Sequence, residues 1–428
     1  MRRQVGEDYA LVAVPPPKRD KGVAFLASVV LAIPTALVFF ATGMALGTRY
    51  GFVNLLVAVV LVSVLVSFFG VLLSAYSAHS GLDSDLLSIP AGFGKRGSAV
   101  TSLIYSMNFI VLYAIESQII LQSVQSVFPW MSPFVVIAAV SLVLVAATWF
   151  GISIVSAVMS MTLPIFVISL LILIWQLSSE NAHSAIVEAR GLGAFGVLAC
   201  AGVLMVFIVN ATVAADVGRF LSPERRGLGV LLLGVLPQVL SLGGSVMLGA
   251  WFGIAFGYSS PGLLFVEMLG LWGLLAVLVS QSRINIVNLY SGSLSLSNYG
   301  VRGLGIRPGR HLWLVVSAFL GASLALFMNG PDFLGILAFE SAFTCSWVGV
   351  LAAVIVRRKL LTTTIELEDC AVFDWLGIRA LSLALAASVP LSLGFFGPTG
   401  TASAPFVALI IAVMSVVATR DDKWVCSQ

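Results

Sequence analysis

The sequence predicts an all-helical integral membrane protein of about twelve spans with both ends in the cytoplasm. Three observations carry this: an apolar composition, apolar segments of bilayer length, and positive charges gathered on one side. Of 428 residues 59% are hydrophobic and only 10% charged, with a mean hydropathy of +1.07, where a soluble domain holds about 25% charged residues. Apolar runs of about 17–25 residues, enough to cross a hydrocarbon core roughly 30 Å thick, begin near Val23, Phe52, Val100, Pro133, Ile154, Ala194, Gly227, Gly262, His311, Phe333, Ala380 and Ala404. Short loops join most of them, so the chain reads as one membrane domain.

The polar opening, residues 1–22, is too long ahead of the first apolar run for a cleaved signal peptide, so the Val23 helix is expected to be a retained span. With the N-terminus inside, 19 of the 22 Lys and Arg residues fall on the cytoplasmic side, only Arg49 and Arg190 fall outside, and Arg283 lies within the eighth span. Losing one span would invert every later loop, so the bias supports both count and orientation. The net charge of +3 follows from it and calls for no nucleic-acid partner. Cys200, Cys345, Cys370 and Cys426 lack metal-ligand spacing and read as isolated thiols, and His79, His183 and His311 are likewise dispersed. No metalloprotease, nucleophile-elbow or Walker motif is present. No cofactor or metal is expected, and the glycine-rich turn from Gly92 to Gly97 reads as a plain cytoplasmic turn.

Helix breaks inside a membrane matter where a polar ligand must meet bare backbone. The first span carries Pro34 at mid-depth, and the sixth carries Gly202 and a polar patch at Asn210-Ala211-Thr212. These two spans are five apart, the pattern of a transporter built from two inverted five-helix repeats with interrupted helices around a midplane site. Residues 23–176 would form the first repeat, 194–356 the second, and 375–419 two extra helices.

Charged residues inside the spans sharpen the expectation. Glu116, mid-way along the third span, and Arg283 would each cost about 2.5–3.5 kcal/mol at a helix centre, so each needs a partner or an aqueous cavity. Tyr105, Asn108, Leu112 and Glu116 share one face of the third span. Gln281, Asn285, Asn288, Gly292 and Ser295 form a second stripe along the eighth, and Arg283, about 200° round the helix from Gln281, should make a contact of its own. Pairing between Glu116 and Arg283 is the bland alternative. Glu267 reads as an interface residue and Glu340 as one packed between the tenth span and its neighbours.

Several ordered pieces resemble the nucleobase and cation symporters, the family of cytosine, purine, allantoin and hydantoin permeases. They are Glu7-Asp8-Tyr9-Ala10 with Val14-Pro15, the run from Phe93 to Ser98 before the third span, Asp216-Val217-Gly218-Arg219-Phe220 after the sixth, and the asparagine-rich run from Asn285 to Leu294. The resemblance implies a five-plus-five inverted repeat of the LeuT type with two C-terminal helices. It also implies that Phe207, nine residues before the signature aspartate, stacks on a heterocycle. Asn285 falls where the family's eighth-span asparagine contacts the base, with Asn288 one turn on, and Glu116 where a third-span glutamine usually stands. Leu112 replaces the expected third-span tryptophan, leaving Tyr113 as the nearest aromatic residue. Hydroxyl residues that would bind sodium are replaced by Arg283 and Ile284, so Arg283, with Ala32 and Thr35 on the first span, is expected to form the ion or coupling site.

These residues together predict a secondary transporter of the cell (inner) membrane, not an enzyme, that imports a nucleobase or related nitrogen heterocycle. Coupling to protons through Glu116 is expected in preference to sodium. The expected partners are a small-molecule substrate and membrane lipid, with the chain a monomer. A cationic amine or guanidino substrate is the alternative that Glu116 motivates, and a non-transporting membrane sensor with the same pocket is a further one.

Overall fold

The computed structural model describes residues 9, 12–22, 33–149, 152–178, 191–328, 333–363 and 366–419, with the backbone alone at 152–161 and 225. The start of the first predicted span, including Ala32, lies outside them, as do Arg2, Arg3, Arg190, Arg420, Lys423, His183 and Cys426. Among the described residues nine helices are long and apolar enough to cross a membrane, and Pro133–Trp149 and Thr162–Ser178 are shorter apolar ones. The first predicted span is described from Ile33, and its helix runs Leu37–Tyr50. Below, the helices keep the order of the predicted spans.

The polarity is that of a protein solvated by hydrocarbon. Leu142, Trp175 and Phe319 stand at least 70% exposed, whereas Glu116, Arg283 and Asn285 are fully buried. Such an exterior has no place in water, and the chain is a multi-pass membrane protein.

Small residues fix how the helices associate, because lipid supplies no hydrophobic push between them. The first helix packs against the seventh, Arg226–Phe256, with backbones in contact. A Cβ on Gly43 would sit 1.9 Å from the Val246 carbonyl oxygen, and one on Gly249 2.1 Å from that of Phe40. The second helix, Phe52–Ser80, lies across the sixth and seventh. The third, Gly94–Val127, packs extensively on the eighth, Pro261–Tyr299, and the fourth, the fifth and the ninth, Arg310–Phe327, pack around that pair. The tenth, Phe333–Arg357, joins the eleventh and twelfth, Trp375–Ser392 and Gly397–Ala418, and the twelfth also leans on the sixth.

Two local expectations change. The third helix starts at Gly94, several residues before Val100, because the Lys95 and Arg96 amides of its first turn donate to the Ala371 and Val372 carbonyls. That pairing occupies the very amides a phosphate cradle would need. Cys370 is disulfide-bonded, to a residue outside those described, while Cys200 and Cys345 are buried free thiols. The eighth helix is interrupted at Gly270 (φ 59°, ψ −135°), a conformation open to glycine alone.

Gly43→Val is expected to wedge the first and seventh helices apart and cost about 1–3 kcal/mol or more. Gly243→Ala on the same seventh helix, where an added Cβ meets open space, should be silent. Thermal melting of the two detergent-solubilised variants checks this, and equal melting temperatures would contradict the backbone contact.

Candidate functional site

The site grows from the interruption of the first helix. Pro34 cannot continue an α-helix; Ile33–Thr35 form a single 3₁₀ turn, Ala36 turns extended (ψ 126°), and the helix restarts at Leu37. A restart leaves its first amides without helical partners, and in a membrane they must be met by other groups. The Leu37 amide donates to Gln281 Oε1 at 3.3 Å and the Val38 amide to Glu116 Oε1 at 3.2 Å. On the carbonyl side, Ser245 donates to Pro34 and Ser280 to Thr35 at 3.2 Å. Arg283 donates to the Thr35 hydroxyl. The third, seventh and eighth helices thus each place polar side chains on this one break.

Arg283 makes a contact separate from that of the asparagines, as expected, while Gln281, of the same stripe as the asparagines, meets the stretch that Arg283 also meets. Gln281 and Arg283 leave the eighth helix on different sides, and the length of the arginine stem lets its head reach round. Arg283 and Glu116 form no ion pair among the described residues: the guanidinium donates to Thr35 and the carboxyl accepts from the Val38 amide. Nε and Nη1 of Arg283 have no hydrogen-bond partner, nor does Oε2 of Glu116.

Beside the break lies a cavity of about 90 Å³. Its walls are mostly apolar, with Phe39, Phe109, Leu112, Phe207 and Ile284 among them, and its polar residues are Glu116, Asn210 and Asn288. Phe39 and Phe207 meet with ring centroids 4.4 Å apart at 39°. Phe207 sits in a 3₁₀ stretch, Met205–Val209, between two α-helical halves, Ala194–Leu204 and Asn210–Gly218.

The sixth helix is accordingly tightened where a break was expected, and Gly202 lies before that stretch, within the regular helix. Its role is packing: a Cβ there would fall 2.3 Å from the Ala402 carbonyl oxygen. Asn210 does lie at the change of winding, where its amide donates to Gln238 Oε1 at 3.3 Å. Pro34 lies at the interruption of the first helix. Thr35 is buried against Arg283, and Ala32 falls outside the described residues.

Two residues expected at the ligand lie behind the wall. Tyr113 turns to the fourth helix, its hydroxyl 2.7 Å from that of Ser141. Asn285 donates to the Ser117 hydroxyl at 3.1 Å and accepts from Asn288 at 3.1 Å, so Asn288 stands at the cavity and Asn285 orients it. Phe39, Phe109 and the capping role of Gln281 escaped the sequence reading. Gln281 alone carried a signal, as a member of the polar stripe.

One end of the bundle is laced shut by the loop between the second and third helices. Asp83 caps the short helix Ser84–Leu87 and pairs with Arg219 at 2.8 Å. Asp216 accepts from the Ser84 amide at 2.8 Å and from the Tyr105 hydroxyl at 2.7 Å. Asp85 accepts from Ser295 at 2.8 Å and Asn298 at 3.0 Å. The signature from Asp216 to Phe220 thus belongs to a latch whose partners, Asp83 and Ser84, no spacing rule disclosed. Toward the opposite end, the Arg49 end of the first helix, a second cavity of about 630 Å³ opens among Thr48, Gln118, Gln122, Tyr258 and Ser260.

Comparison with solved structures finds the same fold in several membrane transporters. The chain is similar to Mhp1, a nucleobase-cation-symport-1 family transporter in a closed conformation with bromovinylhydantoin bound, at 16% identity and a TM-score of 0.68 over 95% of this chain and 94% of that one. It is similar to a Na⁺-coupled sialic acid symporter at 15% identity and a TM-score of 0.62, over 94% and 91% of the two chains. A manganese transporter of Eremococcus coleocola matches at 14% identity and a TM-score of 0.61, over 95% and 98%. At these identities the likeness is one of fold, and Mhp1 comes from the family that the sequence motifs resemble. No protein-family model matches the chain, and no curated protein matches it in sequence.

Glu116→Gln keeps a carbonyl oxygen for the Val38 amide and should melt close to the unaltered protein. Glu116→Leu leaves that amide buried and bare and should lose about 1–3 kcal/mol. Scanning fluorimetry in detergent checks the pair; equal melting would show that the cap carries no weight.

Proposed function

We propose that the chain is a secondary transporter that moves a small planar nitrogen heterocycle, of the nucleobase or hydantoin class, across the cell membrane by alternating access. The observation that carries this is the cavity at the first-helix break, walled by the Phe39 and Phe207 rings and furnished with only a carboxyl and two amides. Flat apolar rings suit a planar base, and amides and a carboxyl oxygen suit the N–H and C=O groups along its edge. An apolar cavity of about 150 Å³ accepts a benzene-sized ring, so 90 Å³ supports a single ring after slight expansion and leaves no room for a sugar.

The same geometry counts against a cationic amine. Glu116 already accepts from the Val38 amide at the positive end of the restarted helix, so its charge is not spare for a cationic ligand. Arg283 brings a guanidinium to the first and eighth helices, where the resemblance would put a sodium ion, and supports sodium-independent transport. On this reading the latched end faces the cytoplasm, the larger cavity faces outward, the physiological direction is import, and the repeat boundaries are those expected from the sequence.

Counterflow exchange in proteoliposomes, with radiolabelled uracil, cytosine, hypoxanthine and hydantoin as probes and agmatine as the cationic control, tests this. At least one heterocycle should exchange and agmatine should not. Phe207→Ala should weaken half-saturation for that probe by about tenfold, as loss of one base–aromatic stack implies. Exchange of agmatine alone would overturn the substrate class, and saturable binding without exchange would favour a sensor.

A further inference from the structure

A second buried carboxyl lies outside the cavity wall. Glu340, on the tenth helix, is 7% exposed, and neither of its oxygens has a hydrogen-bond partner. Asn108, on the third helix, is fully buried, and neither atom of its amide has a full hydrogen bond. Asn108 neighbours Glu340 where the third and tenth helices pack together. Asn108 precedes the cavity residues Phe109 and Leu112, and the tenth helix packs directly on the Met205–Val209 stretch that carries Phe207. The Cys345 thiol, 3.6 Å from the Met205 carbonyl oxygen, marks that contact.

No charge reaches Glu340 from the elements around it. The Met205–Val209 stretch, the segment Ile89–Phe93 and the twelfth helix have no ionisable side chain. The third helix carries Lys95 and Arg96 in its first turn, Tyr105, held by Asp216, Tyr113, bonded to Ser141, and Glu116, held by the Val38 amide. The sixth brings Cys200, the eleventh Arg379, and the second Tyr76 and His79. A bare carboxylate in such surroundings is prohibitively costly, whereas the neutral acid needs only one acceptor and one donor, which a single amide provides. Metal ions such as Ca²⁺ take six or more oxygen ligands, far more than this pair offers.

We infer that Glu340, buried beside Asn108 with both oxygens unpaired, is the proton-binding site of the transport cycle, and that Glu116 is the fixed cap of the first helix. The inference rests on the transport reading and reassigns the coupling proton expected at Glu116. Glu116 Oε1 is committed to a backbone amide, so ionising or neutralising it disturbs the helix restart itself. Glu340 has no such commitment. As the acid it lets the tenth helix stay packed on the third and on the wall behind Phe207. Release of the proton to water leaves an anion that must be hydrated, which requires the tenth helix to part from the third. Proton occupancy thereby sets the packing behind one ring of the cavity.

Infrared titration of the purified full-length protein in lipid nanodiscs tests the protonation without any substrate. At neutral pH the unaltered protein should show a protonated-carboxyl C=O band that persists in Glu116→Gln, disappears in Glu340→Gln and moves to higher frequency in Asn108→Leu, where the neighbouring amide is replaced by an apolar side chain. In proteoliposomes, an inward proton gradient should accelerate uptake of the exchanging heterocycle probe by about tenfold in the unaltered protein. Glu340→Gln should lose that acceleration while its counterflow exchange persists. A band unchanged in Glu340→Gln would overturn the inference, and so would loss of the band with the gradient response intact, which marks a purely structural proton. Failure of the transport reading would show separately, as absence of exchange by the unaltered protein.

Discussion

The arrangement depends on how two exposed backbone amides in the middle of a membrane are satisfied. Leu37 and Val38 begin a helix where hydrocarbon offers no water, and Gln281 and Glu116 accept their hydrogen bonds. Once those acceptors are fixed, the register of the third and eighth helices against the first is fixed with them. Glu116 and Asn288 then fall on one cavity and Ser280, Gln281 and Arg283 on the break. A free ligand or ion could serve an interrupted helix in the same way, but here the chain's own side chains serve it. The interruption is therefore held by the protein, and a substrate need supply only what the remaining oxygen of Glu116 and the two asparagines lack.

That constraint explains the tight packing elsewhere. The first helix meets the seventh through Gly43 and Gly249 with no side chain between the backbones, which brings Ser245 within reach of the Pro34 carbonyl. A bulkier contact there would uncover the break. The Asp83, Asp85 and Asp216 latch ties one end of the sixth helix to one end of the eighth through one loop, so the two helices that supply Phe207 and Asn288 are clamped at a common point.

Much of the architecture was legible because a bilayer imposes length and polarity on each segment separately. Apolar length marked the helices, and Pro34 marked the non-α turn from which the first described helix starts, since proline acts on its own backbone. What depends on a neighbour was not legible. Gly202 has the composition of a break, but Ala402 on a distant helix makes it a packing residue. Asn285 and Asn288 share a stripe, and only Ser117 on the third helix decides which one turns to the cavity. Phe39 and Phe109 are two of 27 phenylalanines, indistinguishable from lipid-facing rings until the helix opposite is known. Arg283 stood out as a charge the topology could not place, and its angle from the asparagines foretold a contact apart from theirs, though not that Thr35 would be the partner.

The central claim is that side chains hold the first-helix break where a sodium ion would otherwise be needed. Uptake of the exchanging heterocycle probe into proteoliposomes, at fixed pH and with either sodium or choline as the external cation, measures this most directly. Equal initial rates in the two media are the result expected when Arg283 already provides the positive charge. A rate that rises about tenfold or more with a sodium gradient would contradict the account and return the space around Thr35 and Arg283 to an ion.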